Sequence, residues 1–245
     1  MSGGEMSRNG YILEVENLYV GYYRDLNILQ GVHMYAQQGR ITTILGANGV
    51  GKSTLLKAIF GFLTPNDGDI RLKGQSILDV PTHKRISLGL AYIPQQMSIF
   101  RWMSVEENIL LGGWTFRNDK ERLQQKLEEN FERFPILREK RKQPAGELSG
   151  GQQRMVELAR TLMTDPDVIL VDEPTAGLAK LLKRDVYQML RDLRDREGKT
   201  IILVDQEIRH ALRIADYVYI LDLGRNKTEG PVEEIVADLK KAFWI

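Results

Sequence analysis

The chain has 245 residues, 42% hydrophobic and 27% charged, and its 34 Lys and Arg against 33 Asp and Glu leave a net charge of +1. That is the balance of an average globular protein with one large domain, or one domain carrying an inserted subdomain, and it gives no electrostatic reason to expect a nucleic-acid partner. There is no cysteine, which excludes disulfides and Cys-ligated metals, and no apolar run approaches the length of a bilayer span. Residues 1–10 are polar and Gly-rich without an apolar signal core, so they are expected to form a disordered tail ahead of a cytoplasmic domain in residues 11–245.

Strands are predicted at Tyr11–Val15, Leu18–Val20, Ile28–Tyr35 and Arg40–Leu45, with turn signals at Gly21, Gly31 and Gln38-Gly39. Alternation in the first of them predicts an antiparallel sheet with one solvated face. Next comes Gly46-Ala47-Asn48-Gly49-Val50-Gly51-Lys52-Ser53-Thr54, which fits G-x-x-x-x-G-K-[ST]. An apolar strand, Ile41–Leu45, precedes it, and Leu55, Leu56, Ala58, Ile59 and Phe60 follow on one helix. Strand, glycine loop and helix form a phosphate cradle: the glycines let N–H groups turn inward, and the helix N-terminus adds partial positive charge. Lys52 is expected to reach the β- and γ-phosphates of a nucleotide, and the Ser53 hydroxyl to serve Mg²⁺. Without that strand–helix setting the same residues would read as an ordinary Gly-rich turn.

Further strands are predicted at Asp69–Leu72 and Leu88–Ile93, the latter ending at Pro94-Gln95-Gln96. From there the pattern is helical. Ser104-Val105-Glu106-Glu107 has the form of a capping box that opens a helix through Leu111, stopped by Gly112-Gly113. Asp119 to Phe134 places Leu123, Leu127, Phe131 and Phe134 on one stripe. The stretch of about 96–147 therefore reads as a helical subdomain inserted into an α/β core. The α/β alternation resumes with a helix Gly150–Met163, a strand Val168–Val171, a helix Lys180–Glu197 and a strand Thr200–Val204. A helix through Ile214, a strand Tyr217–Leu221 and a helix Val232–Phe243 complete it. Continuous apolar strands between helices predict a largely parallel sheet covered on both faces.

Two more motifs carry chemistry. Val168-Ile169-Leu170-Val171-Asp172-Glu173 is a buried strand that delivers two carboxylates at its C-terminal end, where open α/β sheets bind ligands. Asp172 is suited to Mg²⁺ and Glu173 to taking a proton from an attacking water; alone, the two would read equally well as solvated acids. Leu148-Ser149-Gly150-Gly151-Gln152 is a Ser cap with two glycines opening a helix, a further place for bare N–H groups to hold an anion, although plain capping explains it alone. In this order and at these spacings, the three motifs resemble the ATPase subunit of an ATP-binding-cassette (ABC) transporter, from about Tyr11 to the C-terminus.

The resemblance implies an α/β fold: a P-loop NTPase (RecA-like) core with an N-terminal antiparallel β-subdomain and an inserted α-helical subdomain. It implies ATP and Mg²⁺, with Gln95 contacting the metal and the attacking water and relaying nucleotide state to membrane subunits. Tyr23 matches the aromatic that stacks on adenine. Two such subunits would pair head to tail, so that Ser149 and Gly151 touch the γ-phosphate held by the partner's loop. Transmembrane permeases and, indirectly, a solute-binding protein complete the implied assembly, which would hold this chain on the inner face of the cell membrane.

Two places depart from the usual ABC pattern. Gly177-Leu178-Ala179 stands where Gly-Leu-Asp is usual, and Val204-Asp205-Gln206 puts Gln at the switch position usually held by His. Gln206 can hydrogen-bond a γ-phosphate oxygen but carries neither proton nor charge. The changes mark either a weakened site or a subfamily. They are similar to the branched-chain amino-acid importer ATPases, as are Val105-Glu106-Glu107-Asn108 and Lys240-Lys241-Ala242-Phe243. Other readings are a non-transport ABC switch, or a cassette serving urea, amides or lipid export. The cluster Phe100, Trp102 and Met103 reads as core, while the resemblance implies that part of it forms a permease-docking groove; His210 reads as an exposed helix residue.

Overall fold

The structure is a computed structural model that describes residues 10–23 and 26–243, so most of the expected tail lies outside the described residues. The chain begins with strands β1 (Tyr11–Val20), β2 (Leu29–Gln37) and β3 (Ile41–Leu45), followed by helix α1 (Lys52–Phe60). Strands β4 (Asp67–Leu72) and β5 (Gln75–Ser76), helix α2 (Thr82–Ser87) and strand β6 (Leu90–Ile93) come next. Helices α3 (Val105–Leu110), α4 (Lys120–Arg133), α5 (Pro135–Glu139) and α6 (Gly150–Leu162) run consecutively, with single 3₁₀ segments at Leu111–Phe116 and Ala145–Glu147. Then β7 (Val168–Asp172), α7 (Lys180–Glu197), β8 (Thr200–Val204), α8 (Ile208–Ala211), β9 (Tyr217–Asp222), β10 (Arg225–Pro231) and α9 (Val232–Phe243) follow.

Two sheets result. The smaller is antiparallel, in the order β2-β1-β4-β5. The two short strands expected at its start are one strand, β1, whose register shifts around Glu16 and Asn17, where Asn17 takes a φ of 48°. The larger sheet runs β10-β9-β3-β8-β7-β6, parallel except where β10 turns back on β9. Strict alternation divides its side chains between two cores. Ile41, Leu45, Ile169, Val171, Ile201 and Leu203 face the cluster built with α4, α6 and α7. Ile44, Val168, Leu170, Ile202 and Val204 face the cluster built with α1 and the antiparallel sheet. Each fully buried aliphatic side chain contributes about 1.5–3 kcal/mol, and both faces of these strands must be apolar for the sheet to be covered twice.

Register sets the ends of the strands level. Ile44 lies opposite Val204, Val204 opposite Asp172, and Val171 opposite Ile93. The C-terminal ends of β3, β8, β7 and β6 therefore open side by side along one rim, and each hands the chain to a candidate motif: Gly46, Asp205, Glu173 and Pro94 are the next residues.

Candidate functional site

The loop after β3 is shaped by glycine where nothing else fits. Gly46 has a φ of 154°, and a Cβ there would stand 2.5 Å from the Leu221 carbonyl oxygen; at Gly51 the φ is 105° and a Cβ would stand 2.5 Å from Leu29 Cδ2. Gly51 is also the N-cap of α1, with no side chain capping the helix and no acid in its first turn. The first-turn N–H groups of Lys52, Ser53 and Thr54 are thus left to an external acceptor, at the positive end of the helix dipole. Lys52, 4% exposed, folds back to donate to the carbonyls of Gly46 at 3.0 Å and Ala47 at 2.9 Å.

The carboxylates stand beside it. Ser53 Oγ donates to Asp172 Oδ1 at 2.8 Å, and Tyr92 Oη to Asp172 Oδ2 at 3.0 Å. Burial pushes the Asp172 carboxyl up, against the pull of these two bonds, and burial beside Asp172 also raises the Tyr92 phenol. Glu173 leaves the sheet with a φ of 43°, a left-handed residue other than glycine at a site of chemistry. Its N–H still reaches the Val204 carbonyl at 2.8 Å. Its Oε2 accepts Gln95 Nε2 at 2.6 Å and also Gln206 Nε2, and its Oε1 lies 4.0 Å from Lys52 Nζ. Residues from four strand ends meet on one carboxylate.

A cleft of about 370 Å³ at this rim is lined by Tyr22, Asn48, Gly49, Gly51, Lys52, Ser53, Thr54, Gln95, Glu173 and Gln206, with Ile28. Gly46 and Val50 stay behind the lining, Val50 buried at 8% exposure. A Ser53 hydroxyl, an Asp172 carboxylate and a Gln95 amide oxygen are hard donors of the kind Mg²⁺ takes, and Ser53 and Asp172 already touch, so the residues fit that ion.

Two expectations, at Tyr23 and His210, need correction. Tyr23 is 76% exposed and does not line the cleft; Tyr22 does, its hydroxyl accepting from Lys57 Nζ at 3.2 Å. Adjacent side chains on an extended chain face opposite ways, so a displacement of one residue reverses the assignment. Ser149, Gly150, Gly151 and Gln152 lie outside the cleft of their own chain. There they open α6 through a capping box, Gln152 N donating to Ser149 Oγ and Ser149 N to Gln152 Oε1. His210 is not a plain exposed residue: its ring stacks on Tyr187 at 5.4 Å and 11°. The sequence reading also passed over Arg154, 1% exposed, which donates to the Pro94 and Gln95 carbonyls at 3.0 Å each and pairs with Glu157 at 2.6 Å. Its signal was the unusual pairing of two charges three apart on an otherwise apolar helix face.

A phosphate loop, a strand-end carboxylate pair and parallel strand ends that converge on both define the P-loop nucleoside-triphosphatase class. Residues 29–176 match the ABC transporter family, and the chain belongs to that family as an ATPase domain. It is 38% identical over 214 residues to the probable branched-chain amino acid transport ATP-binding protein LivF of Archaeoglobus fulgidus, covering 87% of this chain and 90% of that one. It is 34% identical to the lipopolysaccharide export system ATP-binding protein LptB of Acidithiobacillus ferridurans, covering 93% of both. Among solved structures, a nucleotide-free ATP-binding cassette from an ABC transporter superposes with a TM-score of 0.82 at 30% identity, over 94% of this chain and 95% of that one.

Proposed function

We propose that this chain is a Mg²⁺-dependent ATPase subunit that works in a pair of cassettes and powers a membrane importer for branched-chain or related amino acids. The observation that carries the reading is the convergence of Lys52, Gln95 and Gln206 on Glu173. Lys52 and the N–H groups from Asn48 to Thr54 offset the charge of the triphosphate. Ser53, Asp172 and Gln95 would hold Mg²⁺, which when bound neutralises charge on the transferring phosphoryl group. Two carboxamides on Oε2 fix the orientation of Glu173 and leave Oε1 to take the proton of the attacking water. The second N–H of Gln206 Nε2 then donates to the γ-phosphate, and the carboxamide neither gains nor releases a proton.

The separation of Ser149–Gln152 from the cleft supports a site completed by a second cassette, either an identical chain or another ATPase. Exposed Phe100 and Trp102 support docking to transmembrane permeases at the inner face of the membrane, with a solute-binding protein beyond them. No helix among the described residues is long and apolar enough to cross a membrane. Amino acids are favoured as cargo by the LivF likeness; the LptB likeness favours lipid export as the second reading.

Glu173→Gln tests the chemistry. ATP binding is retained, turnover falls by at least ~100-fold, and an ATP-bound dimer accumulates on size exclusion. Undiminished hydrolysis would remove Glu173 from the role. Uptake of labelled leucine by vesicles holding the neighbouring-gene permeases separates import from lipid export.

A further inference from the structure

Asp205 follows the last residue of β8 and is 2% exposed. A carboxylate so buried is costly unless its oxygens are satisfied. Here both are. Oδ1 accepts the backbone N–H of Gln206 at 2.7 Å and of Glu207 at 2.9 Å, and Oδ2 accepts the Tyr187 hydroxyl at 2.7 Å. Burial pushes the carboxyl up against the pull of these three bonds.

Tyr187 comes from the middle of α7 and is 4% exposed. Its hydroxyl also lies 3.3 Å from Thr175 Oγ1, two residues past Glu173, and its ring is held flat against His210 of α8. One buried phenol thus ties the segment that follows Glu173 to the residue that precedes Gln206. The side chains of Glu173 and Gln206 then meet in a hydrogen bond.

We infer that Asp205 and Tyr187 are positioning residues: they pin the Gln206 backbone and the turn after Glu173 to each other, and so set the Gln206 carboxamide against the catalytic carboxylate. Neither lines the cleft itself, and Asp205 reaches it only through the backbone of Gln206, so both act through Gln206. A carboxamide has two freely rotating bonds beyond Cβ and no charge to steer it, and a backbone fixed at two consecutive N–H groups supplies the orientation that a charged switch residue would find for itself. The inference rests on the ATPase reading above.

The test is a double-mutant cycle in kcat, KM for ATP and the affinity for a fluorescent ATP analogue, on the full chain. Asp205→Ala is expected to lower kcat by about 10- to 100-fold while KM and analogue affinity change by less than about 2-fold. In a Gln206→Ala background the same substitution should have no further effect. Asp205→Asn, which keeps an acceptor oxygen for the two N–H groups, should recover most of the rate. An equal loss in both backgrounds, or no loss in either, overturns the inference, because a merely structural role does not depend on Gln206. Should Asp205→Ala fail to fold, Tyr187→Phe decides the matter in the same cycle: it keeps the ring on His210, removes only the hydroxyl, and should cost several-fold with Gln206 present and nothing without it. If the wild-type chain shows no ATPase activity, the functional reading fails instead. Amide exchange at Gln206 and Glu207 then still decides the positioning claim, since faster exchange in Tyr187→Phe supports it and unchanged exchange overturns it.

Discussion

Single residues set the tolerance of this site. Gly51 holds a φ of 105°, a Cβ there would stand 2.5 Å from Leu29 Cδ2, and the next residue is Lys52. An alanine there strains the backbone and pushes on a side chain of the neighbouring sheet, each at about 1–3 kcal/mol. Gly51→Ala is expected to lower unfolding free energy by about 2–3 kcal/mol in a urea titration and to weaken ATP binding at least ~10-fold, because the loop and Lys52 move with it. An unchanged urea midpoint with unchanged affinity would show that Leu29 yields instead. Lys52, Asp172 and Glu173 were legible because their chemistry demands a residue type at a spacing. Tyr22 was not: next to Tyr23 on a short irregular segment, only the register of the strand tells which ring faces the loop.

Elements were legible where periodicity was strong. The helix Lys180–Glu197, the strand Thr200–Val204 and the capping box at Ser104 and Glu107 stand where the sequence places them. The elements it missed are those that no apolar periodicity announces. Strand β10 is polar throughout and has no apolar alternation; it forms because it pairs with β9, and because Asn226 exchanges hydrogen bonds with the backbone of His33 on β2. Helix α2 shows no apolar periodicity, yet Arg85 within it is 2% exposed. Its guanidinium donates to Ala58 at 3.0 Å and Ile59 at 2.7 Å, which are carbonyls of the last turn of α1, and to Val80 at 2.8 Å. It thereby satisfies acceptors that α1 leaves open and favours the negative end of that helix. Arg85→Met should destabilise the fold by about 2–4 kcal/mol, measured by chemical denaturation, since several buried carbonyls lose their donor. Arg85→Lys should recover little, because an ammonium cannot span the same fork. A loss below ~0.5 kcal/mol in Arg85→Met would mean that water replaces the guanidinium.

At the scale of the whole molecule, one rim of the six-stranded sheet gathers the chemistry, while the helical stretch between β6 and α6 presents apolar rings elsewhere. Phe100 is 53% and Trp102 95% exposed, on a turn only a few residues beyond Gln95. That turn is not loose. Asn108, fully buried in α3, accepts the Phe100 N–H at 2.8 Å and donates back to its carbonyl at 2.9 Å, while Ser98 and Glu157 hold the strand side of the same segment. A rigid turn that exposes two large aromatics has the form of a docking site, since an isolated fold gains nothing by leaving a Trp in water. The path from Gln95 to that turn is short, and Arg154 grips its start at the Pro94 and Gln95 carbonyls. Trp102→Ala should therefore leave the thermal midpoint of the isolated chain within about 1 °C of wild type, because the ring buries almost nothing. The same substitution should sharply reduce co-purification with the permease subunits when all are expressed together. A midpoint that falls by several degrees would return Trp102 to the core of the fold, and undiminished co-purification would move the docking surface elsewhere.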